Sequence, residues 1–172
     1  MNKRSIIFGI LSIVVMIAIF MFSAKDGNES TDQSLKVGMT IGRITVKNFE
    51  ELPKEKQISF AKKINYAVRK SAHFTEYMML GFMLAGFFTG IKKLKRRIQL
   101  PSAWIAGTLY AFTDELHQMF VPGRACRLFD VMIDSSGVLM GVLVITVILF
   151  ISELRRKTVK KNSKENGKEK TI

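Results

Sequence analysis

Apolar residues gather in four blocks separated by charged links. The first runs from Ile6 to Phe22 without a charged residue. At a rise of about 1.5 Å per residue it nearly crosses a hydrocarbon core of about 30 Å. The others span residues 72–91, 100–121 and 128–151. Four stretches of that length have no use in a soluble fold of this size, so the pattern predicts an all-α, integral membrane four-helix bundle. Residues 24–71 form a long polar loop between the first two blocks. Within it Leu35 and Met39 share one helical face, and after Pro53 the positions Ile58, Ala61, Ile64 and Val68 share another. Lys62, Lys63, Arg69 and Lys70 edge the second face, as expected of amphipathic helices lying in the membrane interface.

Charge gives the blocks a direction. The 172 residues are 48% hydrophobic yet carry a net +13, so apolar and charged residues must be segregated along the chain. Lys3 and Arg4 precede the first block. Lys92, Lys93, Lys95, Arg96 and Arg97 fill the link between the second and third, and eight more cations follow Ile151. The link between the third and fourth blocks holds only Arg124 and Arg127. Cytoplasmic loops retain Lys and Arg, which predicts a multi-pass protein of the cell membrane with both termini cytoplasmic and loop 24–71 outside. The net charge then reads as orientation bias and attraction to anionic lipid, with the bilayer as partner and no role for nucleic acid. Met1-Asn-Lys-Arg4 resembles the start of a signal peptide. Bulky Phe22 two residues before Ala24 argues against cleavage there and for a retained anchor. Residues 1–152 form one transmembrane domain, and the Lys-, Asn-, Ser- and Glu-rich tail 153–172 is expected to be disordered. Cys126, the one cysteine, excludes an internal disulfide framework and a paired-cysteine zinc site.

Ionisable residues at the ends of the blocks carry the chemistry, because a charge within a span costs about 2.5 to 3.5 kcal/mol on insertion scales and needs a partner or water. Lys70, His73, Glu76 and Tyr77 stack at helical spacing where the second block begins. Asp114, Glu115, His117 and Gln118 close the third. Pro122-Gly123 reads as a turn, followed by Arg124 and Arg127, and Asp130 and Asp134 open the fourth block one turn apart. The proposed topology puts all three stretches at the outer face, which predicts an outward-facing polar cavity. Gly137 and Gly141 follow on nearly the same stripe as the two aspartates, in the small-residue spacing that lets helices approach closely.

Three readings of this cluster compete. It can be a structural ion-pair network, with Arg124 and Arg127 opposite Asp130, Asp134 or Glu115. It can bind an amphiphile, with Lys70, Arg124 and Arg127 on a phosphate or carboxylate and the acids on amines or sugar hydroxyls. It can also catalyse, with His73, Glu76, Asp114, Glu115 and His117 as acid, base or divalent-metal ligands. No spacing matches a metalloenzyme signature, so no metal is assigned, no cofactor is identified, and binding is favoured over catalysis.

These residues resemble the VanZ-like membrane proteins. The resemblance rests on Lys70, His73, Tyr77 and Leu80; on Asp114-Glu115-x-His117-Gln118-x-Phe120-x-Pro122-Gly123-Arg124; and on Asp130, Asp134, Gly137 and Gly141. Phe22-Ser23-Ala24-Lys25, Ser30 and Ser34 extend it upstream. One departure is Asp134, where the family usually has Asn. The resemblance implies a small bacterial multi-pass membrane protein of a family whose founding member lowers susceptibility to teicoplanin. Teicoplanin is a lipoglycopeptide whose acyl chain anchors it at the outer leaflet. With the ionisable residues converging on the outer face, the expectation is a protein that binds or perturbs an amphiphile there, either the drug or a lipid-linked wall precursor. The alternative is a membrane-embedded hydrolase or transferase acting on a lipid-linked envelope substrate.

Overall fold

A computed structural model describes the backbone of residues 3–169 and side chains as far as Thr158. Among the described residues the chain is all-helical: α1 (Lys3–Ser23), α2 (Gly27–Thr45), a short 3-10 turn (Phe49–Glu51), α3 (Lys54–Phe88), α4 (Arg96–Gln118) and α5 (Leu128–Glu169). Two stretches, α1 and Leu128–Thr158 of α5, are long and apolar enough to cross a membrane. Their length and composition carry that statement. The last helix continues past residue 152 into the basic tail, where Glu153 pairs with Lys157 one turn on at 3.6 Å. Residues 170–172 of that tail lie outside the described residues.

The sequence pattern separates an interfacial helix ending near Val68 from a span beginning at Ala72. The structure joins them. Arg69-Lys70-Ser71 contains no Gly or Pro to stop propagation, so α3 continues for 35 residues, about 52 Å, from Pro53 at its N-cap. α2 folds back beside the first half of α3. Its buried face is Gly27, Ser34, Gly38 and Gly42, while Leu35 and Met39 are only partly covered. Small residues let the two backbones close: a Cβ on Gly38 would stand 3.2 Å from Ala61. Asp26 caps α2 by accepting from the Glu29 N–H at 2.7 Å.

α3 touches every other long helix. Lys70, midway along α3, meets Asp130 near the start of α5, and Gly81 meets Val138 further along both, so α3 and α5 run the same way. α1 and α4 run against them: Ser5 reaches Phe87 at the end of α3, and Arg96 reaches Glu153 far along α5. Tyr77, Leu80, Leu84, Val138, Val142 and Ile145 form the core between α3 and α5. Gly137 and Gly141 face α3 there. A Cβ on Gly137 would lie 2.5 Å from the Phe74 carbonyl oxygen, and one on Gly141 would overlap that of Met78.

α1 packs inside out for a soluble helix. It buries Ser5, Ser12, Ile19 and Ser23 and exposes Ile6, Ile10, Ile13, Ile17 and Met21. The serines cost little because each hydroxyl has an acceptor: Ser5 Oγ donates to Phe87 O and Ser12 Oγ to Phe8 O, both at 2.8 Å, and Ser23 Oγ donates to a carboxylate of α4. Small polar residues within and large apolar ones without is the arrangement of helices whose solvent is lipid.

The glycine contacts differ in tolerance. Gly141→Ala is expected to destabilise the protein by about 1–3 kcal/mol or more, since the facing atom is backbone and cannot move aside. Gly38→Ala meets ordinary side-chain and backbone atoms at a slightly short distance and should cost less. Thermal unfolding in detergent checks this order, and equal midpoints for the two variants would contradict it.

Candidate functional site

The α4–α5 link brings the ends of α1 and α4 and the start of α5 together against the middle of α3. Gly123 adopts the left-handed conformation, φ 72°, that the Pro122-Gly123 turn requires. The turn packs on the start of α2: Gly27 N–H donates to Pro122 O at 2.9 Å, and a side chain on Gly27 would collide with Gly123. From this turn Arg124 reaches back to a carbonyl in the last turn of α1 and to one in the link that follows it. Its Nε donates to Lys25 O at 3.0 Å and its Nη2 to Phe22 O at 3.2 Å, while Nη1 donates to Gln118 Oε1 at 3.2 Å. It thereby satisfies groups that α1 leaves open at its C-terminus. Burial and the nearby Arg69 pull the guanidinium pKa down, and Asp114 and Glu115 oppose that pull.

Behind Arg124 the polar groups are buried and bonded. Ser23 Oγ donates to Asp114 Oδ2 at 2.7 Å, and Gln118 Nε2 donates to Asp114 Oδ2 at 3.1 Å and to Ser23 Oγ at 3.2 Å. The buried Tyr77 hydroxyl lies against the Asp114 carboxylate without a hydrogen bond of normal geometry among the described residues. Glu115, one residue on and about 100° around the helix, faces the other way and accepts from the Arg127 backbone N–H at 2.8 Å. Lys70 and Asp130 form an ion pair at 2.5 Å with both side chains largely covered. His73 Nδ1 stands 3.9 Å from the buried Asp134, a contact that becomes an ion pair only with the ring protonated.

Two small cavities open against this network. One, of about 230 Å³, is lined by Lys70, His73, Glu115, Gln118, Arg124, Arg127 and Asp130, with Tyr66 and Arg69 added from α3. The other, of about 220 Å³, shares Arg69, His73 and Arg124, adds Glu76, and takes Ser30, Gln33 and Ser34 from α2. Eight residues singled out from the sequence therefore line these cavities, and Tyr77, Asp114 and Asp134 form the buried layer behind them. His117 does not join them. Its ring stacks on Phe20 of α1 with centroids 4.5 Å apart. The set of two imidazoles and three carboxylates considered for catalysis is thus divided between separate environments. No group of three His, Cys, Asp or Glu side chains among the described residues is placed to hold a metal ion.

The arginines also differ from the ion-pair reading of the sequence. Arg124 bonds to carbonyls and an amide, and Arg127 engages Glu115 through its backbone rather than its guanidinium. Arg69 and Ser23 are among the residues that the structure brings into the site and to which the sequence assigns no role there. Arg69 lies four residues before His73 on the same helical face, a signal present in the sequence; the bond from Ser23 to Asp114 spans 91 positions and has no local signal.

A family model described as VanZ/LLP1 matches residues 8–150 of the chain. No curated protein and no solved structure matches it.

Breaking a well-shielded ion pair from one side leaves a charge without compensation, at a cost of about 3–5 kcal/mol when burial is complete. Lys70 and Asp130 retain some solvent access, so Lys70→Met and Asp130→Leu should each lower stability by about half that range. The double variant should recover much of the loss, with a coupling energy of about 0.5–3 kcal/mol. Additive losses in a double-mutant cycle would show that the pair does not act as a unit.

Proposed function

The chain belongs to the VanZ/LLP1 family, and from that premise we propose that it lowers susceptibility to lipoglycopeptide antibiotics of the teicoplanin type by binding an amphiphile at the outer leaflet. The ligand is the drug itself or a lipid-linked wall precursor. In this reading α1, the second half of α3, α4 and α5 each cross the cytoplasmic membrane, and both termini are cytoplasmic. The gathering of Arg4, Lys92, Lys95, Arg96 and Arg156 at the opposite end from the candidate site supports that orientation.

The observation that carries the proposal is the pair of uncommitted guanidinium groups at the cavity. Arg69 and Arg127 line it, and no ion pair engages either side chain among the described residues. Lys70 pairs with Asp130, Glu115 accepts from the Arg127 N–H and Arg124 bonds to carbonyls and an amide, so the Arg69 and Arg127 guanidinium groups remain for the phosphate or carboxylate of a ligand, with the Glu76 carboxyl beside them. An apolar groove supports a lipid tail. Val37 and Ile41 of α2 and Ile64, Val68 and Ala72 of α3 line a hollow of about 620 Å³ that shares Val68, Ala72 and Glu76 with the second polar cavity. A head in the cavity and a chain between α2 and α3 would fit an acylated ligand.

Expression in a sensitive Gram-positive host tests this. The wild type should raise resistance to teicoplanin and leave vancomycin, which lacks the acyl chain, unaffected. Arg69→Gln/Arg127→Gln should abolish the protection at equal membrane abundance. Equal protection against both drugs, or full protection by the double variant, would contradict the proposal.

A further inference from the structure

At the other end of the helices a larger cavity, of about 820 Å³, opens between the start of α1, the α3–α4 link, the first turn of α4 and the far part of α5. Arg4, Lys92, Lys95, Arg96 and Arg156 line it, against a single acid, Glu153. That acid is already occupied. It accepts from Arg96 Nη2 at 2.9 Å and lies 3.6 Å from Lys157 Nζ, and these cations hold its carboxyl below the usual range. Lys92, Lys95 and Arg156 are left without an acidic partner among the described residues.

The link that carries the lysines is shaped rather than loose. Gln99 Nε2 donates to Ile91 O at 3.2 Å and to Leu94 O at 3.1 Å, tying the link to the first turn of α4. Leu94 N–H donates to Ile91 O at 3.1 Å. A second hollow of about 550 Å³ adjoins the basin, shares Thr89, Arg96, Gln99, Leu149 and Glu153 with it, and continues past Leu100, Thr146 and Phe150 between α4 and α5. The lining thus changes along its length from a cluster of cations to an apolar slot.

We propose that this basin is a binding site for an anionic membrane lipid, with the phosphate on Lys92, Lys95 and Arg156 and an acyl chain in the slot between α4 and α5. Compact ammonium groups and a guanidinium with no partner suit a phosphate, and the shared wall gives head and chain one continuous path. The site is separate from the cavity at the opposite end. It rests on the membrane-spanning reading above but not on the identity of the ligand there.

Native mass spectrometry of the full chain in nonionic detergent tests the site. Phosphatidylglycerol and phosphatidylcholine of identical acyl chains serve as probes, and inorganic phosphate as competitor. The wild type should retain phosphatidylglycerol about tenfold or more over phosphatidylcholine. Lys92→Gln/Lys95→Gln/Arg156→Gln should reduce retention to the phosphatidylcholine level, and Lys62→Gln/Lys63→Gln, cations of α3 outside both cavities, should leave it unchanged. Should the triple variant fail to fold, the salt dependence of the wild type decides: retention of phosphatidylglycerol should fall steeply with added salt while that of phosphatidylcholine stays flat. Equal retention of the two lipids, unchanged retention in the triple variant, or displacement by equimolar inorganic phosphate would overturn the proposal. Absence of drug protection by the wild type, with its phosphatidylglycerol retention intact, would count against the outer site alone.

Discussion

Backbone approaches backbone where α3 crosses α5, and the remaining geometry depends on that contact. Gly81 on one helix and Gly137 and Gly141 on the other remove the side chains that would hold the axes apart. In a lipid environment apolar burial contributes little to helix association, so close van der Waals contact and bonded polar groups must supply it. Serines on α1 and glycines on α2 repeat the same solution on the other sides of α3. Large apolar residues are thereby free to face outward on α1, α4 and α5.

Because α3 and α5 are locked in register, Lys70 comes opposite Asp130 and His73 opposite Asp134. The buried carboxylates are then divided by direction. Asp114 turns to Ser23 and Gln118, and Glu115 turns to the backbone of the α4–α5 link. Arg124 closes the end of α1 in the same network, so the link, α1 and α4 are held as one unit. What remains after these bonds are counted is a pair of cavities in which the Arg69 and Arg127 guanidinium groups and the Glu76 carboxyl have no partner among the described residues, beside an apolar groove. The proposal of a binding site rests on that surplus.

Much of this was legible along the chain. The apolar blocks marked four helical segments, the Gly137 and Gly141 spacing marked the face of α5 that meets α3, and helical spacing joined Lys70 to His73 and Asp130 to Asp134. The polar half of α3 reads as a separate helix because amphipathic periodicity changes at Val68, yet nothing there stops the backbone hydrogen bonding. The buried face of α2 departs from its pattern for a related reason: hydrophobic periodicity selects Leu35 and Met39, whereas close packing selects Ser34, Gly38 and Gly42. His117 has the right helical phase to stand near Asp114, yet the packing of α1 supplies Phe20 as its neighbour. Contacts of that kind depend on which helix lies alongside, and no local pattern encodes it.

The central claim is that the charged cavity faces outward while the basic basin faces the cytoplasm. Single cysteines at Arg127→Cys and Lys92→Cys in a Cys126→Ser background, treated in intact cells with a membrane-impermeant thiol reagent, test it directly. Labelling at position 127 in intact cells, with position 92 labelled only after permeabilisation, is the predicted result. The reverse pattern would contradict the account.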